Sequence, residues 1–224
     1  MLLARVGEEK RGPVAKGERG RCPNCNSEVL AVVPRENIRH WRHRARDCDP
    51  WSEPEGPWHL GWKDQFPVEA REVSLIDPYT GERHRADIRT QAGVVLELQH
   101  SSIPEEEIAA REAFYTRDHR MFWLVHMHNE GSFRGTHFLM SLNFDKRPIN
   151  FGGKRFSIMS WVGPGKQFIE KWKRSSTHVF FDCGGSIFYL ATKKGCAPIL
   201  EQLKKGEFAL CPLTVREFLE AVSG

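Results

Sequence analysis

Polar side chains interrupt two strands that should be buried, in the stretch RADIRTQAGVVLELQHS at residues 85–101. HRADIRT alternates apolar and polar residues, and GVVLELQHS follows it after the turn QAG. EVSLIDP precedes both, separated by the turn sequence YTGE, so the segment predicts a three-stranded meander. We therefore expect a fold that mixes strands and helices, and we ask why acidic residues stand inside this sheet.

The acids of the meander are placed where they can approach each other. Asp87 lies early in the second strand, while Glu97 and Gln99 lie late in the third and share one face. Two converging carboxylates repel each other unless a cation lies between them, and oxygen ligands suit Mg²⁺ or Mn²⁺. We expect Asp87 and Glu97 to bind such an ion, with the Leu98 carbonyl completing the ligands. The alternative is a salt bridge to one of the meander arginines, Arg83, Arg85 or Arg89.

A short helix before the meander carries a second set of candidate groups. WHLGWK should belong to a helix that begins near Pro57. His59 and Lys63 are four residues apart and share a helical face. We expect Lys63 to orient a water or to stabilise charge on a phosphate, His59 to transfer a proton, and Gln99 to position water or phosphate. A solvated helix face is the alternative.

Cysteines and histidines near the N-terminus have the spacing of a metal site. CPNC at 22–25 provides two thiols, and HWRHRARDC at 40–48 follows with two histidines and a third thiol. Two thiolates and two further soft or imidazole ligands complete a tetrahedral zinc site. We favour Cys22, Cys25, His43 and Cys48 as the ligands, with His40 as the alternate to one of them. Free thiols with surface histidines are the alternative.

The excess positive charge of the chain lies in its first quarter. The net charge is +4, and residues 1–50 hold 11 Lys or Arg against 7 Asp or Glu, whereas the rest of the chain holds 22 of each. The density is highest in RENIRHWRHRAR at 35–46. A basic stretch with an aromatic residue suits a phosphate backbone, and a solvated surface is the alternative. We expect Arg42, Arg44 and Arg46 to contact phosphates.

The rest of the chain predicts further helices and strands. IPEEEIAAREAFYTRD is typical of a helix, and MFWLVHM of a strand in the centre of a sheet. THFLMSL (136–142) and RFSIMSW (155–161) favour strands, GKQFIEKWKRS a helix, and HVFFDCGGSIFYLAT a hairpin around Gly184. LTVREFLEAV predicts a final helix capped by Thr214. We divide the chain into segments 1–50, 51–130 and 131–224.

Hydropathy bears on where such a chain resides. The mean hydropathy is −0.51, and no apolar run is long enough to span a bilayer. The first residues, MLLARVGEEKRG, are too short and too charged for a signal peptide. We therefore expect a soluble, cytoplasmic protein that has no membrane partner.

An ordered set of motifs resembles a known family. CPNC, HWRH, EGPWHLGWK, RADI, ELQHSSI and EEIAAREAFY follow each other as in the CoiA-like competence nucleases of the PD-(D/E)XK superfamily, over roughly residues 20–126. The resemblance implies a restriction-endonuclease-like α/β (α+β) core, a mixed sheet flanked by helices, preceded by a small zinc-knuckle segment. It implies that Asp87 is the first metal acid and Glu97 the second. Gln99 stands where the superfamily usually has lysine, and Glu55 resembles its helix-borne acid.

The resemblance also implies a function. It predicts a Mg²⁺-dependent nuclease that hydrolyses phosphodiester bonds of DNA, in DNA uptake, processing, recombination or defence. Because Gln99 cannot supply a positive charge, the alternative is a non-catalytic nucleic-acid-binding or recombination-assisting module that retains the fold. RNA stays open as a substrate. No base-reading element is recognisable, so the sequence predicts no preference for base sequence, strand number or polarity.

Overall fold

Two units make up the chain in the computed structural model, which describes residues 1–127, 138, 148–160 and 166–224. The first unit is Met1–Val95 and the second is Leu96–Gly224. The boundary falls within one strand, Val94–Gln99. The described residues form a mixed α+β protein, as the sequence predicts.

The first unit begins with a small antiparallel sheet. Its strands, in chain order, are β1 (Ala4–Val6), β2 (Glu9–Arg11), β3 (Arg19–Arg21), β4 (Glu28–Val32) and β5 (His40–His43). They are arranged in the order β2-β1-β3-β4-β5. One small cluster of buried residues forms the core of this sheet, Ala4, Cys22, Val29, Ala31 and Trp41. The apolar core is therefore small for a sheet of five strands.

The remainder of the first unit is the predicted helix and meander. Helix α1 (Pro57–Lys63) begins at the predicted proline, and a 3-10 turn (Val68–Ala70) follows it. The meander consists of β6 (Arg71–Ile76), β7 (Arg83–Arg89) and β8 (Val94–Gln99), which confirms the prediction. β6 and β7 are antiparallel, with Val73 opposite Ala86. The β7–β8 turn is closed by the Thr90 N–H, which donates to the Val94 carbonyl over 2.9 Å.

The second unit is a mixed sheet with helices. Its helices are α2 (Glu105–Tyr115), α3 (Lys166–Lys173), α4 (Lys193–Leu200) and α5 (Val215–Ser223). After β8 its strands are β9 (Arg120–His126), β10 (Ile149–Phe151), β11 (Lys154–Ser160), β12 (His178–Asp182), β13 (Ile187–Leu190) and β14 (Glu207–Leu213). The order is β10-β11-β14-β13-β12-β9-β8, and β9 and β12 run parallel.

Several predictions for the second unit are confirmed, whereas Phe138, within the predicted strand 136–142, is helical. β9 lies between β12 and β8, so its place inside the sheet is confirmed. β12 and β13 form the predicted hairpin, and the Thr214 side chain accepts a hydrogen bond from the Glu217 N–H at the start of α5. The predicted strand 136–142 lies outside the described residues except for Phe138. None of the helices described is both long and apolar enough to cross a membrane.

Candidate functional sites

Four side chains that the sequence proposes as zinc ligands come together in the first unit. The ligand atoms of Cys22, Cys25, His43 and Cys48 all lie within 4.8 Å of one another. Cys22 and Cys25 lie in the turn between β3 and β4, where the Cys22 N–H donates to the Ser27 carbonyl over 2.9 Å. His43 ends β5, and Cys48 follows in the next loop. This group could hold a metal ion such as zinc.

The distances within the group fit a tetrahedral zinc. Bonds of about 2.3 Å to sulfur and about 2.0–2.1 Å to nitrogen place two sulfurs about 3.8 Å apart, and a sulfur and a nitrogen about 3.5 Å apart. The Sγ atoms of Cys22 and Cys48 are 3.7 Å apart. Cys25 Sγ lies 3.4 Å from His43 Nε2. Both edges agree with one ion bound by thiolates and by the Nε2 atom of the imidazole.

Neighbouring groups are placed to support thiolate ligands. The Asn24 N–H donates to Cys22 Sγ, and Asn24 Nδ2 donates to Cys48 Sγ, each over 3.4 Å. Burial raises the pKa of Cys48 to about 12. Burial also opposes ionisation of Cys25, but hydrogen bonds, chiefly from Ser27, outweigh it and lower the pKa to about 6. Three thiols this close share more than one negative charge only when a cation joins them.

β5 decides between the two candidate histidines. Because successive side chains alternate across a strand, residues three apart point to opposite faces. His43 is buried in the metal group, whereas His40 Nδ1 lies 3.0 Å from the Ile38 carbonyl and does not belong to the group. His40 is therefore excluded as the alternate ligand. Arg42 and Arg44 are exposed on the other side, and Arg44 pairs with Glu28 over 3.1 Å.

A buried lysine gathers three carboxylates in the first unit. Lys63 Nζ lies 2.5 Å from Glu55 Oε2, 3.0 Å from Asp87 Oδ1 and 3.2 Å from Glu72 Oε1. The Lys63 side chain is only 2% exposed, so the predicted alternative of a solvated helix face is wrong. Although Gly56 and Pro57 separate Glu55 from α1, Glu55 still reaches Lys63. Lys63 thus contacts Asp87, the acid that the resemblance implies as the first metal ligand.

Glu72 is the member of this cluster that the sequence does not indicate. It lies in β6 between Arg71 and Val73, whose partners on β7 are Ile88 and Ala86. Its φ of +47° is in the left-handed region, which is rare for a residue other than glycine. Its carboxylate accepts hydrogen bonds from the N–H groups of Leu2 (2.7 Å) and Leu3 (2.9 Å). These long-range contacts hold the unusual backbone. Burial opposes ionisation of Glu72, but the positive charges of Lys63 and Arg85 outweigh it and lower the pKa of this carboxyl.

The three acids differ in how readily they ionise. Desolvation raises the pKa of Glu55 to about 8, and the negative charges of Glu72 and Asp87 add to it against the attraction of Lys63. Desolvation lowers the pKa of Lys63, but the three carboxylates outweigh it and raise that pKa above the ordinary value. Only Asp87 is appreciably open to solvent, with 22% of its side chain exposed against 12% and 1% for Glu55 and Glu72.

We expect Glu55 to make stability depend on pH. Its pKa rises from 4.5 to about 8 on folding, so the folded chain binds the extra proton and stability falls as pH rises through this interval. Glu55→Gln should flatten that slope and leave the fold intact at neutral pH. Urea unfolding of both proteins between pH 5 and pH 8 without divalent ions measures it. Identical slopes would contradict a protonated Glu55.

Three predicted site residues lie on β8 in the second unit: Glu97, Leu98 and Gln99. Glu97 is buried, and its Oε2 atom lies 3.0 Å from Arg111 Nη1 on α2. Gln99 Nε2 donates to the carbonyl of Ser101 over 3.2 Å, and Leu98 is buried. Glu97 thus forms a salt bridge with an arginine fourteen residues later in the chain. A metal ion shared by Asp87 and Glu97 stays a prediction.

His59 and a second histidine are both buried in the first unit. His59 Nδ1 accepts a hydrogen bond of 3.4 Å from the Gly56 N–H, at the start of α1. His84, which the sequence patterns did not single out, lies between Trp51 and an acid: its ring stacks on Trp51 at 3.2 Å, and its Nδ1 atom is 3.0 Å from Asp49 Oδ1. The acid and tryptophan of RDCDPW, directly after a metal ligand, are the signal that could have indicated this contact.

A buried arginine joins the metal group to β7. Arg85 Nη1 lies 3.7 Å from Asp47 Oδ1, and the other oxygen of Asp47 is 3.9 Å from His43 Nδ1. Arg85 Nη2 also donates to Ser52 Oγ over 2.9 Å. Arg85 and Asp87 are two residues apart and therefore share a face of β7. The metal group and the Lys63 cluster are thus connected through one strand.

Comparison with known proteins does not indicate a function, so the function is argued from the residues described above. No family model, curated protein or solved structure matches the chain. What the described residues offer is a group that could hold zinc, an exposed basic strand face beside it, and a lysine among three acids. The chemistry of these three features carries the proposal that follows.

Proposed function

We propose that the protein is a metal-dependent nuclease that hydrolyses phosphodiester bonds of DNA, with a restriction-endonuclease-like core preceded by a zinc knuckle. The observation that carries the proposal is the contact of Lys63 on α1 with Asp87 on β7, at 3.0 Å. The resemblance to the CoiA-like nucleases implies a metal-binding acid with a lysine close to it. Here the lysine comes from a helix, because Gln99 stands at its usual place.

Each side chain of the Lys63 cluster has a chemical role in this proposal. Asp87, the most exposed acid, is the group through which a divalent ion from solvent is bound, with Glu97 as the second acid that the resemblance implies. When bound, Mg²⁺ or Mn²⁺ supplies a Lewis acid for a phosphate oxygen and an acidified water. Lys63 stabilises the charge that develops on the scissile phosphate. Glu55 and Glu72 hold the Lys63 ammonium in place through contacts of 2.5 and 3.2 Å.

The carboxylates are not arranged as one coordination sphere. Each of Glu55, Glu72 and Asp87 contacts the Lys63 ammonium, and within the described residues the Cys and His group is the one cluster that meets the spacing of a metal site. The proposed ion therefore requires that Asp87 exchange part of its contact with Lys63 for a metal bond. This exchange would release the ammonium toward substrate, so metal binding and activation of Lys63 are linked.

Cleavage assays test this proposal directly. Supercoiled plasmid and a labelled single strand should be cut with Mg²⁺ or Mn²⁺ and left intact when divalent ions are omitted. Omission is preferable to excess chelator, because a chelator would also remove zinc from the thiolate group. If no DNA or RNA is cleaved with either ion, the nuclease proposal is wrong.

One observation favours a second function, a nucleic-acid-binding module without catalysis. The proposed second acid, Glu97, forms an ion pair with Arg111 at 3.0 Å. Burial lowers the pKa of Arg111, but the negative charge of Glu97 outweighs this effect and raises the pKa above its ordinary value. A carboxylate held in this way binds a metal ion less readily. Binding of DNA with an affinity that divalent ions do not change, together with absent cleavage, would support this function.

The exposed face of β5 should contact phosphates in either case. Arg42, Arg44 and Arg46 are exposed, and Arg44 shares Glu28 with Arg19. Replacing the three by alanine should weaken DNA binding and reduce the slope of log K against log salt by about 0.9 for each phosphate that the protein no longer neutralises. Fluorescence anisotropy of a labelled duplex at several salt concentrations measures this slope.

A control variant distinguishes a specific effect of these arginines from a general effect of lowering the net charge. Arg216 is exposed in the second unit and pairs with Glu220 over 2.8 Å, so Arg216→Ala removes one charge elsewhere. It should leave the slope unchanged. A triple variant of β5 and its loop that binds with the parental slope would show that this face is only solvated surface.

A further inference from the structure

A cluster of positive and titratable groups lies at one end of the second sheet, where β9, β12 and α4 begin. β9 and β12 are parallel, and His178 pairs with Phe122 in their register. The Arg120 guanidinium lies over the Phe122 ring, 5.4 Å from its centre, and the His178 ring contacts the same phenyl ring at 4.8 Å. Gly195 lies beside His178: a Cβ atom added to this glycine would be 3.9 Å from His178 Cε1. Lys194, the preceding residue, therefore lies near the same histidine.

Within the described part of the chain, no acid forms an ion pair with the two cations of this cluster. Arg120 and Lys194 are exposed, and neither forms an ion pair with any residue that the structure describes. Three other arginines of the second unit do pair: Arg111 with Glu97, Arg174 with Glu105, and Arg216 with Glu220. Like charges gathered without a counter-ion repel each other, so an anion that joined them would be favoured.

His178 responds to this environment. Burial and the charges of Arg120 and Lys194 lower its pKa to about 4. Its Nδ1 atom lies 2.8 Å from the hydroxyl of Tyr189, a neutral group whose own pKa is raised by burial. The imidazole is therefore neutral at physiological pH and becomes easier to protonate once negative charge arrives beside it.

We propose that Arg120, His178 and Lys194 form a phosphate-binding site of the second unit that takes the backbone of a nucleic-acid strand. The guanidinium of Arg120, held over the Phe122 ring, has N–H groups suited to bidentate binding of a phosphate, and Lys194 adds a point charge. The identity of the ligand rests on the proposed action on nucleic acid. The site uses none of the residues assigned to metal binding or cleavage, so it can be tested apart from them.

Proton uptake by His178 is the sharpest test. The Cε1–H resonance of His178, assigned with a His178→Gln variant, is titrated against pH alone, with inorganic phosphate, and with a short single-stranded oligonucleotide. We expect the oligonucleotide to raise the pKa of His178, and inorganic phosphate at the same phosphate concentration to raise it less. An oligonucleotide that binds the protein and leaves this pKa unchanged would overturn the proposal.

Binding of the same oligonucleotide gives an independent readout. Arg120→Ala with Lys194→Ala should reduce the salt slope by about 1.4, which is about 0.7 for each phosphate of a single strand, while Arg216→Ala leaves it unchanged. Thermal unfolding of each variant confirms that the fold is kept. A protein that binds no nucleic acid contradicts this site as well as the proposed function. A protein that binds, shifts His178 and cleaves nothing contradicts the nuclease alone.

Discussion

Loss of one metal ligand from the Cys and His group should unfold the five-stranded sheet of the first unit. The fully buried core of this sheet has five residues, and one of them, Cys22, is itself a ligand. Two further ligands, Cys25 and Cys48, are partly buried against this core. Zinc bound by such a group contributes on the order of 10 kcal/mol to folding, more than the net stability of most small domains. We expect Cys48→Ser to lose both zinc and the ordered sheet.

Three measurements check this expectation. Elemental analysis of protein purified without chelator should find one zinc per chain. Hydrogen exchange should show protected amides in β1 to β5 of the parent and exposed amides in the variant. Cys211→Ser, which changes a buried cysteine of the second unit, is the matched control and should keep its zinc. Metal-free protein with the same protected amides would rule out a structural zinc.

Replacing Asp87 should remove cleavage while the fold survives. Asp87→Asn takes away the most accessible charge of the Lys63 cluster, and with it the proposed metal bond. Lys63 retains Glu72 and Glu55, and the loss of one carboxylate relieves repulsion among the three. We therefore expect activity with Mg²⁺ to fall below detection, with an unfolding temperature close to that of the parent in the absence of metal.

The lysine variant should behave differently. Lys63→Met leaves three acids without their cation, and removing one partner of a buried ion pair costs about 3–5 kcal/mol. If Lys63 also stabilises the transition state, the rate should fall on the order of 10²-fold or more in variant molecules that remain folded. Asp64→Asn, an exposed acid that pairs with Arg71, is the control for both variants. Parental cleavage by Asp87→Asn would remove the nuclease assignment from this cluster.

Local patterns in the sequence predict much of this arrangement. The meander, helix α1 and the thiol ligands follow from turn residues, alternation and short spacings, because each depends on residues close in the chain. The contact between Lys63 and Asp87 joins a helix to a separate strand, so these local patterns do not predict it.

Other parts depend on contacts that the sequence cannot indicate. Glu72 joins the cluster because its backbone adopts a positive φ and because two N–H groups about 70 residues earlier bind its carboxylate. Its hydrogen-bond partners are main-chain groups, which carry no sequence signature. Arg111 on α2 pairs with Glu97 on β8, and the sequence pattern around either residue does not indicate the other as its partner. The choice of His43 over His40 required knowing that β5 is a strand and not a helical turn.

The alternation of side chains along β5 determines two properties of the protein at once, the metal group and the exposed basic surface. His43 faces the metal group on one side of the strand, and Arg42 and Arg44 face solvent on the other. An insertion or deletion of one residue in this strand would exchange the two sets. The metal would then lose its imidazole and the surface would lose its arginines in the same event. Variation in this segment should therefore proceed by substitution, and changes of length should be confined to the loops on either side.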